Sequence, residues 1–294
     1  TIYGGTYAFF KNFLPKYGIT VHFIDITKTE KIKELINENT KMVYCETMSN
    51  PLLEIANIPE ISKLTKKNNI QLVVDNTFTP LIFSPIELGA DIVIHSLTKF
   101  INGASDAVGG VVCAKEEFIT AMLDVNDGAG MLLGPVMDSM RAASILKNIR
   151  TLHIRMKQHS SNAMYIAKEF VKEGIKVFYP GSPSHQDHSL MKENYNEEFG
   201  YGGMLVLDVK TKKNAYAFME AMQNDNIGYL AVSLGFYKTL FSAPGSSTSS
   251  EIPEEEQNQM GLSEGMVRIS IGIDNDIERT FEKMKNCMKS VGII

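Results

Sequence analysis

The sequence lacks tryptophan, long apolar segments and any excess of basic residues. No apolar run approaches the ~20 residues that a transmembrane helix requires, so we expect no insertion into a membrane. The 29 Lys and Arg residues are outnumbered by 34 Asp and Glu residues, which gives a formal net charge of -5. Such a chain has no broad basic surface for phosphate backbones, and we expect small-molecule ligands instead of nucleic acid.

Cysteine is also scarce, and its three copies form no pattern. Cys45, Cys113 and Cys287 lie far apart, without a disulfide framework or the CxxC spacing of metal sites. Because each lies in or beside an apolar stretch, we predict three buried, reduced thiols and no metal site. The first residues, TIYGGTYAFF, show neither the basic start nor the cleavage site of a signal peptide, so we expect a cytoplasmic protein.

Short apolar runs alternate with amphipathic stretches in the first half of the chain, which is typical of an α/β fold. The runs at 41–47, 71–77, 91–96 and 108–114 are apolar on both sides, as in a mostly parallel sheet covered by helices. Between the first two runs, Pro59 suits the first turn of a helix whose apolar residues fall on one stripe. The pattern predicts a sheet with helices packed against it.

The second half begins with a long helical stretch. We predict one helix from Met137 to Val171, because RAASILKNIRTLHIRMKQHSSNAMYIAKEF contains no Gly or Pro. A chain of 294 residues usually forms more than one core, so this helix should connect a cofactor-binding domain at 1–150 to a second domain at 151–294. The other predicted elements of the second half are strands at 175–180, 203–210 and 266–273, helices at 212–224 and 276–291, and a polar surface loop at 242–259.

Polar residues follow two neighbouring predicted strands where each strand ends. Asp75 ends the run VVD and Lys99 lies just past DIVIHS, so both belong at the edge of an α/β sheet where ligands bind. For an arbitrary Asp and Lys, a salt bridge or two solvated loop residues would be the ordinary interpretation. Ser96 and Thr98 favour a site, because their hydroxyls can bind a phosphate beside a lysine that can form a Schiff base.

One cofactor requires all of these groups. Pyridoxal 5'-phosphate needs a lysine for its aldehyde, a carboxylate for its pyridine nitrogen, donors for its phosphate and an aromatic ring against its face. Tyr3 is the available aromatic residue, although YGG alone would indicate an ordinary tyrosine. The sequence therefore predicts a pyridoxal-phosphate site.

Seven motifs carry a family resemblance over essentially the whole chain: YGGTY, ETMSNP, VVDNTFTP, HSLTKFINGASD, GYGGM, AVSLG and GMVRISIG. In order and spacing they resemble the Cys/Met-metabolism, or transsulfuration, pyridoxal-phosphate enzymes, and SLGFYKTLFSAPGSSTSSE is most similar to a methionine γ-lyase subgroup. The resemblance implies the fold of type I pyridoxal-phosphate transferases, with a large, mostly parallel domain and a smaller C-terminal α/β domain. It also implies a homo-oligomer, a tetramer formed as a dimer of dimers.

The resemblance assigns six residues to the cofactor, and one of them, Asn50, is also assigned to the substrate. Lys99 matches the Schiff-base lysine, and Asp75 matches the partner of the pyridine nitrogen. Ser96 and Thr98 match the phosphate-binding hydroxyls. Tyr3 matches the ring that stacks on the cofactor and handles protons at the leaving group, and it is therefore expected to be catalytic, like Lys99.

The same resemblance assigns three residues to the substrate: Arg268, Ser233 and Asn50. Asn50 in SNP matches an asparagine near the phenolic oxygen of the cofactor and the substrate carboxylate. Arg268 matches the carboxylate anchor, with Ser233 of SLG beside it. Arg268 also alternates with Val267 and Ile269 in MVRISIG, so its guanidinium should leave the sheet opposite the apolar side chains. An ordinary exposed strand arginine is the alternative.

The resemblance implies a carbon–sulfur lyase that converts L-methionine to methanethiol, 2-oxobutanoate and ammonia. The alternatives are γ-replacement on an activated homoserine, as in O-acetylhomoserine sulfhydrylase or cystathionine γ-synthase, and cystathionine γ-lyase activity. Gly5 stands where many methionine γ-lyases have cysteine, and Ala104 replaces a common histidine. The N-terminal segment of the family is absent, so we also consider a fragment that binds the cofactor weakly or is not catalytic.

Overall fold

The first of two sheets has four strands, and their order across the sheet is the same as their order along the chain. The computed structural model describes residues 2–244 and 263–294. The four strands are β1 (Met42–Glu46), β2 (Gln71–Asp75), β3 (Ile92–Ser96) and β4 (Gly110–Ala114). The strands β1, β2 and β3 are parallel, and β4 pairs antiparallel with β3. Because parallel strands end at one edge, Glu46, Asp75 and Ser96 lie along the same edge of the sheet.

Helices α2 (Thr29–Leu35) and α3 (Ile58–Lys67) cover one face of this sheet. Their apolar side chains join those of the strands in one buried cluster, which includes Ile32, Ile58, Ile61, Leu72, Val74 and Val93. Helix α3 starts as predicted, with Pro59 in its first turn and the side chain of Asn57 accepting a hydrogen bond from the backbone of Glu60. The other helices are α1 (Gly4–Ala8), α4 (Glu116–Met122), α5 (Ala129–Leu132), α6 (Ser139–Ile149), α7 (Leu152–Lys172), α8 (His188–Asn194), α9 (Lys212–Asn224) and α10 (Ile277–Ser290).

The second sheet has five strands, and its last strand in sequence is its central one. The strands are β5 (Lys176–Phe178), β6 (Met204–Asp208), β7 (Gly228–Leu230), β8 (Thr239–Ser242) and β9 (Met266–Ser270), in the order β5-β6-β9-β8-β7. Only β7 and β8 pair in parallel. Apolar residues of α7, α9 and α10 pack with this sheet in one core, which includes Phe170, Phe218, Val267, Ile269 and Phe281. The sequence predicted β5, β6 and β9 but neither β7 nor β8.

The single helix predicted from 137 to 171 is wrong, because the chain breaks into α6 and α7 at Arg150 and Thr151. The carbonyl of Asn148 accepts both the backbone N–H of Thr151, at 3.2 Å, and its hydroxyl, at 3.0 Å. The Nη2 group of Arg155 donates to the same carbonyl at 3.2 Å. These donors hold a tight turn between the two helices. The predicted domain boundary near residue 150 stays a prediction.

Two further predictions need correction. Cys113 is exposed, because β4 is the edge strand of its sheet and much of it faces solvent; Cys45 and Cys287 are buried, and all three are free thiols. Of the predicted loop at 242–259, residues 245–259 lie outside the described part of the chain. Ser242 belongs to β8 and is buried, because it pairs with Arg268 of the central strand. In residues 2–244 and 263–294, no helix combines the length and apolarity needed to cross a membrane.

Candidate active site

Lys99 lies in a distorted turn, Leu97–Ile101, that directly follows β3. Its backbone leaves the helical region, with φ −91° and ψ −133°. The Nζ amine donates to the Ser233 hydroxyl at 3.1 Å. Burial of the side chain, and then the charge of Arg268, lowers the pKa of Lys99 from its ordinary value. A larger share of this lysine is therefore in the neutral, nucleophilic form at a given pH.

A glycine allows the Ser233 segment to reach the lysine turn. Gly235 has φ +74°, and a Cβ atom there would lie 2.4 Å from the backbone nitrogen of Phe100. Its N–H donates to the Ser270 hydroxyl at 2.9 Å. The turn in SLG therefore packs backbone against backbone on the Lys99 turn, which explains why only glycine fits at its end.

Arg268 lies at the centre of the second sheet and is only 2% exposed. Its neighbours Val267 and Ile269 point into the core beneath the helices, so the predicted opposite orientation of the guanidinium is confirmed. The Nη1 group donates to Asn50 Oδ1 at 3.0 Å, and Nη2 donates to the carbonyls of Val232 at 3.1 Å and Ser233 at 3.3 Å. Burial lowers the pKa of Arg268 to about 10.

Asn50 links the two sheets. It follows β1, is buried, and precedes Pro51 through a cis peptide bond. Its side-chain oxygen accepts from Arg268, 218 positions later in the chain. Direct contacts thus join four of the eight predicted site residues: Lys99, Ser233, Arg268 and Asn50.

Asp75 ends β2 between the ends of two parallel strands. Its Oδ1 atom accepts from the backbone of Thr77 at 2.9 Å, and Oδ2 accepts from the Tyr44 hydroxyl at 3.3 Å. Burial, with the charges of Glu46 and Asp75, raises the pKa of Tyr44, which keeps this phenol a donor. Asp75 is half-buried, and a carboxylate suits a ligand that carries an N–H group.

The two predicted phosphate-binding hydroxyls lie beside the lysine, on the same strand end and turn. Thr98 Oγ1 accepts from the backbone of Gly109 at 3.1 Å and lies 3.5 Å from the carbonyl of the same residue. The backbone of Ser96 donates to Thr77 Oγ1 at 2.8 Å. In the described part of the chain, the Ser96 hydroxyl makes no hydrogen bond, so it is available to a ligand.

Tyr3 lies just before α1 and is 53% exposed. The ring passes over Gly5, where a Cβ atom would approach within 2.7 Å of the ring carbon Cε1. An apolar pocket of about 410 Å³ lies next to it, between α1 and the strand residues Tyr44, Val73 and Ile94. The aromatic ring is therefore on the side of the first sheet that also carries Asp75.

Glu46 is a site residue that the sequence analysis missed. It is buried in register with Asp75, and its Oε1 atom accepts from the backbone N–H of Tyr3 at 2.7 Å. Burial and the neighbouring charge of Asp75 raise the pKa of Glu46 to about 8. The other oxygen, Oε2, has no partner in the described residues. The position of this glutamate in the quoted motif ETMSNP was the only available signal.

The charges of the site fit pyridoxal phosphate. Lys99 and Arg268 are two cations close enough for the arginine to lower the lysine pKa, and their hydrogen bonds within residues 2–244 and 263–294 go only to neutral oxygens. Two such cations suit a ligand with carboxylate or phosphate groups. Asp75 suits a protonated ring nitrogen. No group of three or more His, Cys, Asp or Glu side chains within those ranges could hold a metal ion.

Comparison with known proteins gives consistent matches over nearly the whole chain. Residues 1–289 match the family described as Cys/Met metabolism PLP-dependent enzyme. A methionine gamma-lyase of Arabidopsis thaliana is 41% identical over 97% of this chain, which spans 65% of that relative's length. An L-methionine gamma-lyase of Fusobacterium nucleatum subsp. polymorphum is 36% identical over 97% of this chain and 73% of its own.

The fold also matches solved structures. A putative O-acetylhomoserine (thiol)-lyase of Campylobacter jejuni superposes with a TM-score of 0.90 at 28% identity, and the match covers 98% of this chain and 75% of that one. That structure contains a pyridoxyl-lysine phosphate group. The predicted fold class is confirmed, and pyridoxal phosphate is the cofactor of the matched family.

Proposed function

The chain belongs to the Cys/Met metabolism PLP-dependent enzyme family, and from this premise we propose that it binds pyridoxal 5'-phosphate at Lys99 and acts on a sulfur amino acid. The observation that carries the proposal is the contact between Lys99 and Ser233 beside Arg268. This contact puts an amine of lowered pKa next to a buried carboxylate-binding group. An amino-acid substrate needs two groups on one side of the site, and these are the amine of Lys99 and the guanidinium of Arg268.

Five residues would hold the cofactor. Lys99 would bind its aldehyde carbon, Asp75 its pyridine nitrogen, and the hydroxyls of Ser96 and Thr98 its phosphate. Tyr3 would stack on its ring. Bound in this way, pyridoxal phosphate would supply an electron sink for the carbon next to the substrate amine.

The remaining chemistry belongs to the side chains of the chain. Arg268 would bind the substrate carboxylate through its planar guanidinium, oriented by the side chain of Asn50. Lys99, once displaced by the substrate amine, would remove the α proton as a general base, for which its lowered pKa is suited. Ser233 would orient the amine, and the Tyr3 hydroxyl would handle the proton at the leaving group.

We propose L-methionine as the substrate and methanethiol, 2-oxobutanoate and ammonia as the products. The support is the similarity to methionine γ-lyases of a plant and a bacterium. The alternative is γ-replacement on an activated homoserine, which the likeness to an O-acetylhomoserine lyase favours. Gly5 and Ala104, where relatives commonly carry other side chains, bear on this choice, and cystathionine is the third candidate substrate.

Assembly and compartment are also proposals. We propose a homo-oligomer, a tetramer by family resemblance, because several apolar side chains before and within α6 are largely exposed: Leu132, Leu133, Val136 and Met140. A division into domains at 1–150 and 151–294 agrees with the two separate sheets. A cytoplasmic location is proposed from the sequence alone.

A parallel product assay tests the function. Purified protein with pyridoxal phosphate is incubated with methionine, with cystathionine, and with O-acetylhomoserine plus sulfide. We expect 2-oxobutanoate and methanethiol from methionine, and none of either from Lys99→Ala. Homocysteine formed only in the third reaction would select γ-replacement. Cofactor binding without any product would favour the non-catalytic alternative.

A further inference from the structure

Helix α7 carries a row of polar, buried side chains on one face: Arg155, His159 and Asn162. Their spacing of three and four residues puts them on one side of the helix. Each donates to backbone carbonyls, and apart from the nearby carbonyl of Asn148 the acceptors belong to two distant parts of the chain. One part is the Lys99 turn, and the other is the segment that leaves β9.

Arg155 holds the lysine turn. Its Nη1 group donates to the carbonyl of Phe100 at 2.5 Å, and Nη2 donates to that of Ile101 at 2.8 Å. The Nε group donates to the Thr151 hydroxyl at 3.0 Å. Gly103 leaves room for this fork, since a Cβ atom there would lie 2.3 Å from Nη1. A buried guanidinium that binds only carbonyls and a hydroxyl is costly to desolvate, so its geometry should have a specific use.

His159 and Asn162 bind the segment that follows β9. His159 Nδ1 lies 2.6 Å from the carbonyl of Ile271, so this nitrogen carries the proton, and burial lowers the pKa of the ring to about 4. The same imidazole packs edge to face on Phe100, with ring centroids 5.1 Å apart. Asn162 donates to the carbonyls of Gly272 at 2.9 Å and Asp274 at 2.8 Å.

The two anchored segments carry the two cations of the active site. Phe100 directly follows Lys99, and Ile271 lies three positions after Arg268, on the continuation of β9. We propose that Arg155 and His159 are positioning residues that fix the distance between the Lys99 amine and the Arg268 guanidinium. The inference rests on the proposed function, because that distance matters only if both groups act on one ligand.

A fixed distance has a direct chemical consequence. The charge of Arg268 helps to keep the Lys99 amine neutral, and this repulsion weakens as two charges move apart. If the hydrogen bonds between the Lys99 turn and α7 are lost, the Lys99 amine becomes more hydrated and moves away from the Arg268 guanidinium. The pKa of Lys99 should then rise, and the reactivity of the amine at neutral pH should fall.

The test measures this reactivity without turnover. The cofactor-free protein is mixed with pyridoxal phosphate over a series of pH values, and the rate of appearance of the visible absorption of the lysine-bound cofactor is recorded. Only the neutral amine attacks the aldehyde, so the pH midpoint of the rate reports the state of Lys99. The variants are Arg155→Met, which removes the donors, and Arg155→Lys, which keeps the charge without the planar fork.

A second pair tests the histidine. His159→Asn keeps a donor near the position of Nδ1, whereas His159→Leu removes it at similar volume. Lys157→Ala is the matched control on the same helix, because Lys157 contacts Glu198, in an exposed ion pair, and the Phe199 ring, and neither belongs to the Lys99 turn or to the segment after β9. The thermal midpoint of every variant is measured alongside.

We expect the pH midpoint to rise by about half a unit or more in Arg155→Met, Arg155→Lys and His159→Leu, which corresponds to about threefold less neutral amine. His159→Asn should restore most of the change, and Lys157→Ala should match the wild type. Lowered thermal midpoints with an unchanged pH midpoint would overturn the inference, and the histidine pair decides it if the arginine variants do not fold. Absence of the visible band in the wild type would instead overturn the proposed function.

Discussion

Replacement of Glu46 by glutamine should remove a pH-dependent loss of stability. Burial and Asp75 raise the pKa of Glu46 from 4.5 to about 8, so the folded state binds the carboxyl proton more tightly than the unfolded state. The stability that this group contributes is therefore fully present below pH 4.5 and is lost as the pH rises to about 8. Glutamine is neutral at every pH and keeps an acceptor for the backbone N–H of Tyr3.

The magnitude follows from the pKa difference of about 3.5 between the two states. Each unit corresponds to about 1.4 kcal/mol, which gives an upper bound of about 5 kcal/mol for the wild type relative to Glu46→Gln between pH 4.5 and 8. Urea unfolding of both cofactor-free proteins across that range measures the difference. Glu46→Asp, which retains a carboxyl, should retain a pH-dependent difference from glutamine. Parallel stability curves for wild type and Glu46→Gln would refute the assignment of a buried, protonated glutamate.

Three further predictions concern Arg268, Lys99 and the glycine that packs on the Lys99 turn, Gly235. Arg268→Ala should raise the Michaelis constant about thirty-fold or more through loss of roughly 2 to 4 kcal/mol of charge-assisted binding, with the cofactor spectrum preserved; unchanged kinetics would contradict its role. Lys99→Ala should abolish the visible absorption of the lysine-bound cofactor, and a band that survives would exclude Lys99 as its attachment point. Gly235→Ala should cost about 1 to 3 kcal/mol more in urea unfolding than Gly174→Ala, because both have positive φ but only the former meets backbone, at Phe100; equal losses would show that the contact is not tight.

Residues at strand ends were the part of the site that the sequence could predict. Asp75 ends an apolar run and Lys99 follows the next one, and the edge where parallel strands end is fixed by the fold, so the pattern alone predicts that both lie at this edge. The alternation around Arg268 likewise predicted its face. In these cases the local sequence and the tertiary structure impose the same geometry.

The features that were missed depend on contacts between distant residues. In the sequence, Glu46 is an ordinary polar residue at the end of a strand, whereas in the fold it is buried and accepts a hydrogen bond from the Tyr3 backbone, 43 positions away. The break between α6 and α7 depends on side chains competing for one carbonyl, that of Asn148, without any Gly or Pro. The strands β7 and β8 have three and four residues, too few to show a period, whereas β5, also of three residues, was predicted from the longer run IKVFYP.

The central place of β9 in the second sheet has a consequence for biosynthesis. Strands β6 and β8 are made first, yet each lacks its central neighbour β9 until residues 266–270 have left the ribosome. The contact between Asn50 and Arg268 spans 218 positions and closes only at that moment. Chain closure over such a distance is slow and leaves strand edges exposed meanwhile. Nascent chains stalled before residue 266 should therefore depend on chaperones more than chains in which residues 266–270 have left the ribosome.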